Sequence, residues 1–389
     1  MITPEKIEEW IKEAEERPGS AGVMLQYIAN RVLDLTARNE ELRAENLALR
    51  TEKKVEEYEQ RIANLEYQLE LLRRQLGGEL PTELIPAPDA SATALSILLY
   101  DAQGRVLRAA LGAASLADGA ELARLAAPGD ESTRLLVAPS FEELLFVFSS
   151  GRIATLAVES IPAGGLDWSR AQIPQEPRGG ETLACLAPIS RMALAEFMLQ
   201  ASRRGYVKKL MTSLTPSILN KHYIGTGAVI PGDRTHTLLL GGKDDRLVLV
   251  SREGYLLSLD VRDLPFSPEE AFRLGATDLL AAVFTAGGGR SILVMTQLGK
   301  LVHWTEDRLE TVHALKSRGQ ALFSAQRRER GVRVVGAAAV REEDWGVAVH
   351  RDGRITAHAV RAMLESGAIP AEDLVDFAAF GASTNKGKN

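Results

Sequence analysis

Six short apolar runs along the chain each meet a polar turn that contains glycine, and an extended run follows each turn. Further short strands precede the turns, for example at 237–240 and 280–284, so each unit offers about four strands. The turn glycines, Gly104, Gly151, Gly205, Gly254, Gly299 and Gly353, lie 47, 54, 49, 45 and 54 residues apart. A repeat of this length and strand content is typical of propeller blades. The pattern predicts an all-β six-bladed propeller over 96–380 and a polar tail over 381–389.

The N-terminal residues show helical rather than strand periodicity. An amphipathic helix and its turn are predicted over 1–26, followed by a coiled coil over 27–77 and a linker over 78–95 that is rich in Pro, Ala and Glu. Asn at core positions of a coiled coil fixes the register of the helices and favours a parallel pair of helices. The predicted dimerisation residues are Ile28, Val32, Leu35, Asn39, Leu42, Asn46, Leu49, Val55, Ile62, Leu65, Leu69 and Leu72. The alternative is one long helix packed onto the globular domain.

Charge is distributed unevenly along the chain. Residues 1–89 hold 12 Lys and Arg against 19 Asp and Glu, which gives -7, whereas residues 90–389 hold 34 against 33, which gives +1. The repeat region therefore lacks the strongly basic character of a dedicated DNA-binding domain. The single cysteine, Cys185, cannot form an internal disulfide and favours a reducing compartment. Because no apolar run is long enough to span a membrane, we expect a cytoplasmic protein without membrane contact.

The third and fourth units carry a more specific signature. Ser202-Arg203-Arg204-Gly205-Tyr206-Val207-Lys208-Lys209 and Ser251-Arg252-Glu253-Gly254-Tyr255-Leu256 resemble the repeat strand of the C-terminal β-propeller of the DNA gyrase A subunit. Val294-Met295-Thr296-Gln297-Leu298-Gly299-Lys300 fits the same repeat. The resemblance is specific over about 197–305 and otherwise rests on spacing. It implies six blades in a ring, with DNA along the outer basic rim.

The chain departs from that family in two respects. Residues 1–89 are predicted to be helix and linker, so the catalytic breakage-reunion region of the gyrase subunit has no counterpart there. The glycine-rich basic box of the family is also missing. The segment most similar to this box is Gln326-Arg327-Arg328-Glu329-Arg330-Gly331, in which Glu329 interrupts the run of basic residues. No topoisomerase chemistry is therefore expected.

Basic residues form three groups that are candidate contacts to DNA phosphates. Lysine and arginine on one rim would give salt-sensitive binding that does not depend on sequence. The candidates are Arg203, Arg204, Lys208 and Lys209; Lys243 and Arg246; and Arg327, Arg328, Arg330 and Arg333. Such residues are also common in solvated turns, and the nearby acids Asp233, Asp244, Asp245 and Glu253 weaken the positive field.

No constellation of catalytic residues is present, and the scattered histidines lack metal-ligand spacing, so we expect no cofactor, no metal and no enzymatic activity. The sequence favours a non-catalytic dimer whose propellers bind double-stranded DNA weakly, in a nucleoid or DNA-topology role. The alternative is a scaffold whose propeller binds other proteins and has lost the DNA surface.

Overall fold

The computed structural model describes residues 95–111, 116–126, 133–164, 166–190, 192, 195–370 and 373–381. The predicted segments over 1–26 and 27–77, with all of the predicted dimerisation residues, lie outside the described residues. The same holds for the linker up to residue 94 and for the tail from residue 382. The described part consists mainly of antiparallel β-strands, as the repeat pattern predicted.

Most of the strands are four to seven residues long. They are β1 (Leu95–Tyr100), β2 (Val106–Leu111), β3 (Glu121–Arg124), β4 (Arg134–Pro139), β5 (Glu143–Phe148), β6 (Ile153–Ala157), β7 (Leu183–Pro188), β8 (Phe197–Ser202), β9 (Tyr206–Met211), β10 (Thr235–Gly241), β11 (Arg246–Ser251), β12 (Tyr255–Asp260), β13 (Glu269–Glu270), β14 (Leu280–Ala286), β15 (Ser291–Thr296), β16 (Leu301–Trp304), β17 (Gln320–Ala321), β18 (Val334–Val340), β19 (Trp345–His350), β20 (Arg354–Ala359) and β21 (Leu374–Phe380).

Short helices connect some of these strands. The α-helices are α1 (Thr215–Lys221), α2 (Ala325–Glu329) and α3 (Val360–Ser366), and 3-10 turns lie at Val158–Ser160, Trp168–Arg170, Thr212–Leu214, Val261–Asp263 and Glu306–Arg308. The helix α1 carries Pro216 in its first turn, where the missing proline N–H costs nothing, and ends at a left-handed His222. No helix among the described residues has both the length and the apolar character that crossing a bilayer requires.

Within the described residues the strands form six antiparallel sheets. In strand order, they are sheet I (β2-β1-β4), sheet II (β6-β5-β7), sheet III (β10-β8-β9-β13), sheet IV (β14-β11-β12-β17), sheet V (β16-β15-β18) and sheet VI (β21-β19-β20-β3). Each sheet is built on one hairpin, and each hairpin turn holds one of the six glycines of the repeat. All six glycines have φ between +69° and +90°, a region that residues with a side chain rarely adopt.

The first strand of each hairpin is a largely apolar run because both of its faces are buried. In β11, Leu247 and Leu249 pack against sheet III, whereas Val248 and Val250 pack against sheet V. Successive side chains of a strand point to opposite faces, so a strand between two apolar layers needs apolar residues at every position. An apolar cluster lies between each pair of neighbouring sheets, including the last and the first.

The sheets approach one another along one edge. Contacts link β7 to β10, β10 to β14, β14 to β18, β18 to β21, and β21 to β4. We call this side of each sheet its inner edge. In sheets III, IV and VI the opposite, outer edge is formed by β13, β17 and β3, respectively.

Among the described residues, five of the six turn glycines, all but Gly104, accept a hydrogen bond at the carbonyl oxygen from a segment of the next unit. The carbonyl oxygen of Gly205 accepts hydrogen bonds from the amides of Ala271 and Phe272 at 3.0 and 3.1 Å. The same relation joins Gly151 to the amide of Ile224, Gly254 to that of Leu322, and Gly299 to that of Ile369, each at 2.9 Å. We call these stretches covering segments. In sheets III and IV they include the two-residue outer strands β13 and β17.

The last glycine turn is covered by the start of the described chain. The amide of Leu125 donates to the carbonyl oxygen of Gly353 at 2.8 Å, and β3 pairs with β20. In the same region, Val347 and Val349 of sheet VI share an apolar cluster with Ile97 and Leu99 of sheet I. The first and sixth units are therefore joined by the same covering relation as units that follow one another along the chain.

Replacing a covered turn glycine should destabilise the protein far more than replacing an uncovered one. A Cβ on Gly205 would lie 2.6 Å from the carbonyl oxygen of Phe272, whereas Gly289, also at positive φ, has nothing within 4 Å. Gly289→Ala should lower the free energy of unfolding by about 1 kcal/mol, which is the penalty for a side chain at positive φ alone. Gly205→Ala should lower it by about 3 kcal/mol or more. Chemical denaturation of both variants measures this difference. Equal losses would show that covering does not constrain the turn.

Candidate nucleic-acid interface

Two of the predicted phosphate contacts, Lys208 and Lys209, lie in strand β9 and are buried, with 7% and 5% of their surface exposed. The Lys208 ammonium donates to the carbonyl oxygen of Ile224 at 2.9 Å. The Lys209 ammonium donates to the carbonyl oxygens of Val261 and Arg262 at 3.2 and 2.5 Å. Burial lowers the pKa of both lysines. The expectation that these side chains are exposed on a rim is therefore wrong.

The alternation of side chains along a strand explains this pair. Consecutive residues of β9 point to opposite faces, so the two lysines reach different segments of the chain. Lys208 reaches Ile224 of its own unit, whose amide binds Gly151 of sheet II, and Lys209 reaches the 3-10 turn that follows β12 of sheet IV. Each ammonium donates to main-chain carbonyl groups inside the protein, which is a structural role.

Arg203 and Arg204, in the turn of sheet III, point to different surroundings. The Arg204 guanidinium donates to the carbonyl oxygens of Ala276 and Asp278 at 3.0 and 2.7 Å. Arg203 is half-buried and lines a cavity at the inner edge of the sheets. Burial, and then the charges of neighbouring arginines, lower the Arg203 pKa to about 10. Neither residue presents a free guanidinium on the outer edge.

Neighbouring acidic residues offset the positive charge of the second predicted group, Lys243 and Arg246. Lys243 is exposed, and Arg246 donates to the carbonyl oxygen of Glu306 at 3.4 Å. Asp244, next to Lys243, pairs with Arg262 at 2.8 Å. Because positive and negative side chains alternate here, this turn has little net field with which to attract a phosphate backbone.

The third group forms the most basic surface among the predicted candidates. Arg327 and Arg330 are exposed in and after helix α2, and the Arg328 guanidinium stacks over the Tyr255 ring, 4.7 Å from its centroid. Arg328 also donates to the carbonyl oxygen of Phe323. Arg333 is half-buried and donates to two main-chain carbonyls, so it is set apart from the exposed members of the group.

A further arginine, which sequence reasoning missed, completes this surface. Arg318 also lies over the Tyr255 ring, 5.2 Å from its centroid, and donates to its hydroxyl at 3.3 Å. The available signal was the basic turn Lys316-Ser317-Arg318-Gly319, which directly precedes the strand β17. We call Tyr255, Arg318, Arg327, Arg328 and Arg330 the Tyr255 patch.

The Tyr255 patch lies at the outer edge of sheet IV. Tyr255 begins β12 and pairs with Ala321 of the edge strand β17. Stacking on an aromatic ring holds a guanidinium in a fixed plane at low entropic cost, and planar guanidinium groups bind phosphate oxygens in pairs. Glu329 lies within the same stretch and reduces the net charge. The patch therefore offers several arginines for contact with an extended polyanion.

One group of side chains in the described part has the proximity that metal ligands need. Asp260, Asp263 and His313 each place one ligand atom within 4.8 Å of the others. The sequence could not show this grouping because His313 is distant in the chain from the two aspartates. Asp263 and His313 are exposed and Asp260 is partly buried, and exposed acids often lie this close without a metal. This geometry does not by itself define a metal site.

Comparison with protein-family models gives no match, and comparison with curated proteins also gives none. Among solved structures, a DNA gyrase A C-terminal domain matches with a TM-score of 0.57 and 12% identity, covering 74% of this chain and 99% of that one. A C-terminal domain of DNA topoisomerase IV has a TM-score of 0.48 at 18% identity, covering 75% and 94%. The E. coli ParC C-terminal domain has a TM-score of 0.34 at 14% identity, covering 74% and 99%. The first of these matches shows that this chain contains a fold of the gyrase A C-terminal type.

Proposed function

We propose that the protein binds the backbone of double-stranded DNA, without reading its sequence and without catalysis, through the outer edge of a closed six-bladed propeller. The Tyr255 patch is the observation that carries this proposal. The shared gyrase A C-terminal fold and the repeat strand that resembles that family support it, since DNA at the outer rim is what the resemblance implies. Six sheets with six apolar clusters, and the covering of Gly353 by Leu125, support a closed ring of six blades.

The near-neutral charge of the repeat region sets the strength of the proposed binding. With +1 over residues 90–389, long-range attraction is weak, and affinity must come from a few local contacts. A coiled-coil dimer with two propellers would raise the apparent affinity through effective concentration. We propose this parallel dimer over 27–77 and a cytoplasmic location as parts of the same hypothesis.

DNA binding should depend on the Tyr255 patch and on salt. Replacing Arg318, Arg327 and Arg330 with Gln should weaken binding at about 50 mM salt by about tenfold or more, and should reduce the slope of log affinity against log salt by up to about 3. Fluorescence anisotropy with a labelled duplex, at about 50 and 200 mM salt, measures both quantities. Arg328 stays unchanged because it also holds Phe323.

The matched control removes three other exposed arginines. Arg170, Arg262 and Arg361 have side chains that are 86, 63 and 68% exposed, and their surface ion pairs contribute little to stability. Their replacement with Gln removes the same charge and should leave binding within about twofold. Equal weakening by the two triple variants, or no binding of wild-type protein at the lower salt, would contradict the proposed interface.

The scaffold alternative rests on exposed apolar side chains. Phe141, Val229 and Phe266 are 66, 62 and 61% exposed, and each offers an apolar contact to a protein partner. A protein that fails to bind DNA in the anisotropy experiment would leave this scaffold as the better hypothesis.

The proposed dimer predicts that association requires the N-terminal segment. Light scattering should give twice the chain mass for the full-length protein and a monomer mass for residues 90–389. Full-length protein with Leu35 and Leu42 both changed to Lys is the control, and should also be monomeric because charge at core heptad positions opposes pairing. A monomeric wild-type chain, or a dimeric 90–389 fragment, would contradict the coiled-coil hypothesis.

A further inference from the structure

Three buried polar side chains form a hydrogen-bonded network in sheet VI, beside the contact that joins the first and sixth units. His350 ends β19, and Thr356 and His358 lie in β20. The three residues are 2, 5 and 4% exposed. The Thr356 hydroxyl lies 2.8 Å from Nε2 of each histidine. One buried hydroxyl therefore couples two rings whose charge ordinarily changes near neutral pH.

The segment 118–125 of the first unit lies against the same strand, and we call it the closing segment. Ala357, which separates two members of the network, accepts a hydrogen bond from the amide of Gly119 at 2.8 Å and donates one to the carbonyl oxygen of Ala120 at 2.9 Å. Leu125, at the end of the segment, covers the last turn glycine. Because β3 is the outermost strand of sheet VI, the closing segment shields β20 and its network from solvent.

The hydrogen bonds assign the protons of the two rings. A hydroxyl has one proton to donate, so Thr356 donates to one Nε2 atom and accepts from the other. Nδ1 of His350 is buried without a hydrogen-bond partner among the described residues, whereas Nδ1 of His358 lies 3.9 Å from the Asp118 carboxylate. The favoured network is therefore neutral, with one proton on Nε2 of His350 and the other on Nδ1 of His358.

A further proton on either ring conflicts with this arrangement. On His350 it would place a second N–H, at Nδ1, in a buried position without an acceptor. On His358 it would occupy the Nε2 atom that accepts the hydrogen bond from Thr356. Two N–H groups would then face one hydroxyl, whose own proton would have lost this acceptor.

The charged groups that face His350 do not remove this cost. Burial, and then the charge of Arg354, lower the pKa of His350, and Asp352 opposes them. The second ring, His358, lowers this pKa further, and Glu121 of the closing segment raises it slightly. Since burial is the largest of these effects, the neutral ring is favoured in the folded protein.

The charges on the other sides of the network are engaged elsewhere or act weakly. Burial lowers the pKa of His358, and Asp118 of the closing segment opposes this change only in part. On the side of β21, Asp373 pairs with Arg351 at 2.7 Å, and Asp376 accepts hydrogen bonds from two main-chain amides. Both histidines therefore resist protonation as long as the junction is closed.

We propose that this network makes the junction between the first and sixth units sensitive to acid, so that protonation of His350 and His358 releases the closing segment from β20 and opens the ring. The proposal rests on the closed ring proposed above, but not on DNA binding. In the open junction the histidines reach water, and their pKa values return towards about 6.5. The closed form then binds fewer protons than the open form, and its stability falls as the pH drops below that value.

Amide hydrogen exchange of the full chain at about pH 7.5 and about pH 5.0 measures this opening, once each rate is divided by the intrinsic rate at that pH. Protection of Leu125 and Ala357 should fall by about tenfold or more at the lower pH, because each histidine contributes up to about tenfold per pH unit below its usual pKa. Protection of Leu322, which covers Gly254 in another unit, should change by less than about threefold.

Glutamine at both network histidines removes the titrating groups and keeps a polar side chain at each position. In His350→Gln with His358→Gln, protection of Leu125 should change by less than about threefold between the two pH values. The matched control is His303→Gln with His313→Gln, which removes two exposed histidines and should keep the full wild-type change. Should the first double variant not fold, each single variant should keep about half of the change in log protection.

Three results would overturn the acid response. They are unchanged protection of Leu125 in the wild-type chain, equal losses at Leu125 and Leu322, which would show unfolding of the whole domain, and a full change in the variant without the two network histidines. Low protection of Leu125 already at the higher pH would instead contradict the closed ring itself. The two failures are therefore distinguishable.

Discussion

The hydrogen bond from a covering segment to the carbonyl of a turn glycine is the constraint on which this structure depends. It requires a residue at positive φ whose Cα is approached so closely that no side chain fits, as Gly205 shows beneath Phe272. Among the described residues this contact ties five of the six sheets, all but sheet I, to the next unit. Where Leu125 covers Gly353, the same contact joins the two ends of the repeat region.

This constraint also determines where charged groups can lie. Because the hairpin strands are buried on both faces, charged side chains within them need main-chain partners, as Lys208 and Lys209 have, whereas Arg203, Arg252 and the arginines of the Tyr255 patch lie outside the strands. Arg203 and Arg252 therefore meet at the inner edge, while Arg318 and Arg328 meet around Tyr255 at the outer edge. The hairpin turns thus line a cavity at the inner edge, whereas the residues around β17 and α2 form a basic patch at the outer edge.

The turns could be predicted because a backbone position at positive φ favours glycine, which is visible in the sequence. The apolar runs could be predicted because a strand that is buried on both faces requires apolar residues. The covering strands β13 and β17 were not predictable, since Glu269–Glu270 and Gln320–Ala321 carry no strand pattern and pair only through distant partners. The exposure predicted for Lys208 and Lys209 was wrong because a lysine that binds a buried carbonyl is indistinguishable in sequence from an exposed one. The cavity at the inner edge depends on contacts between distant residues that no local pattern encodes.

Amide hydrogen exchange tests the covering relation most directly at the junction of the first and sixth units. The amide of Leu125, bonded to Gly353 at 2.8 Å, should exchange as slowly as that of Leu322, bonded to Gly254 at 2.9 Å, because both open only when a covering segment detaches. Comparable protection of the two segments would support a ring closed by the first unit. Fast exchange at Leu125, with Leu322 still protected, would contradict it.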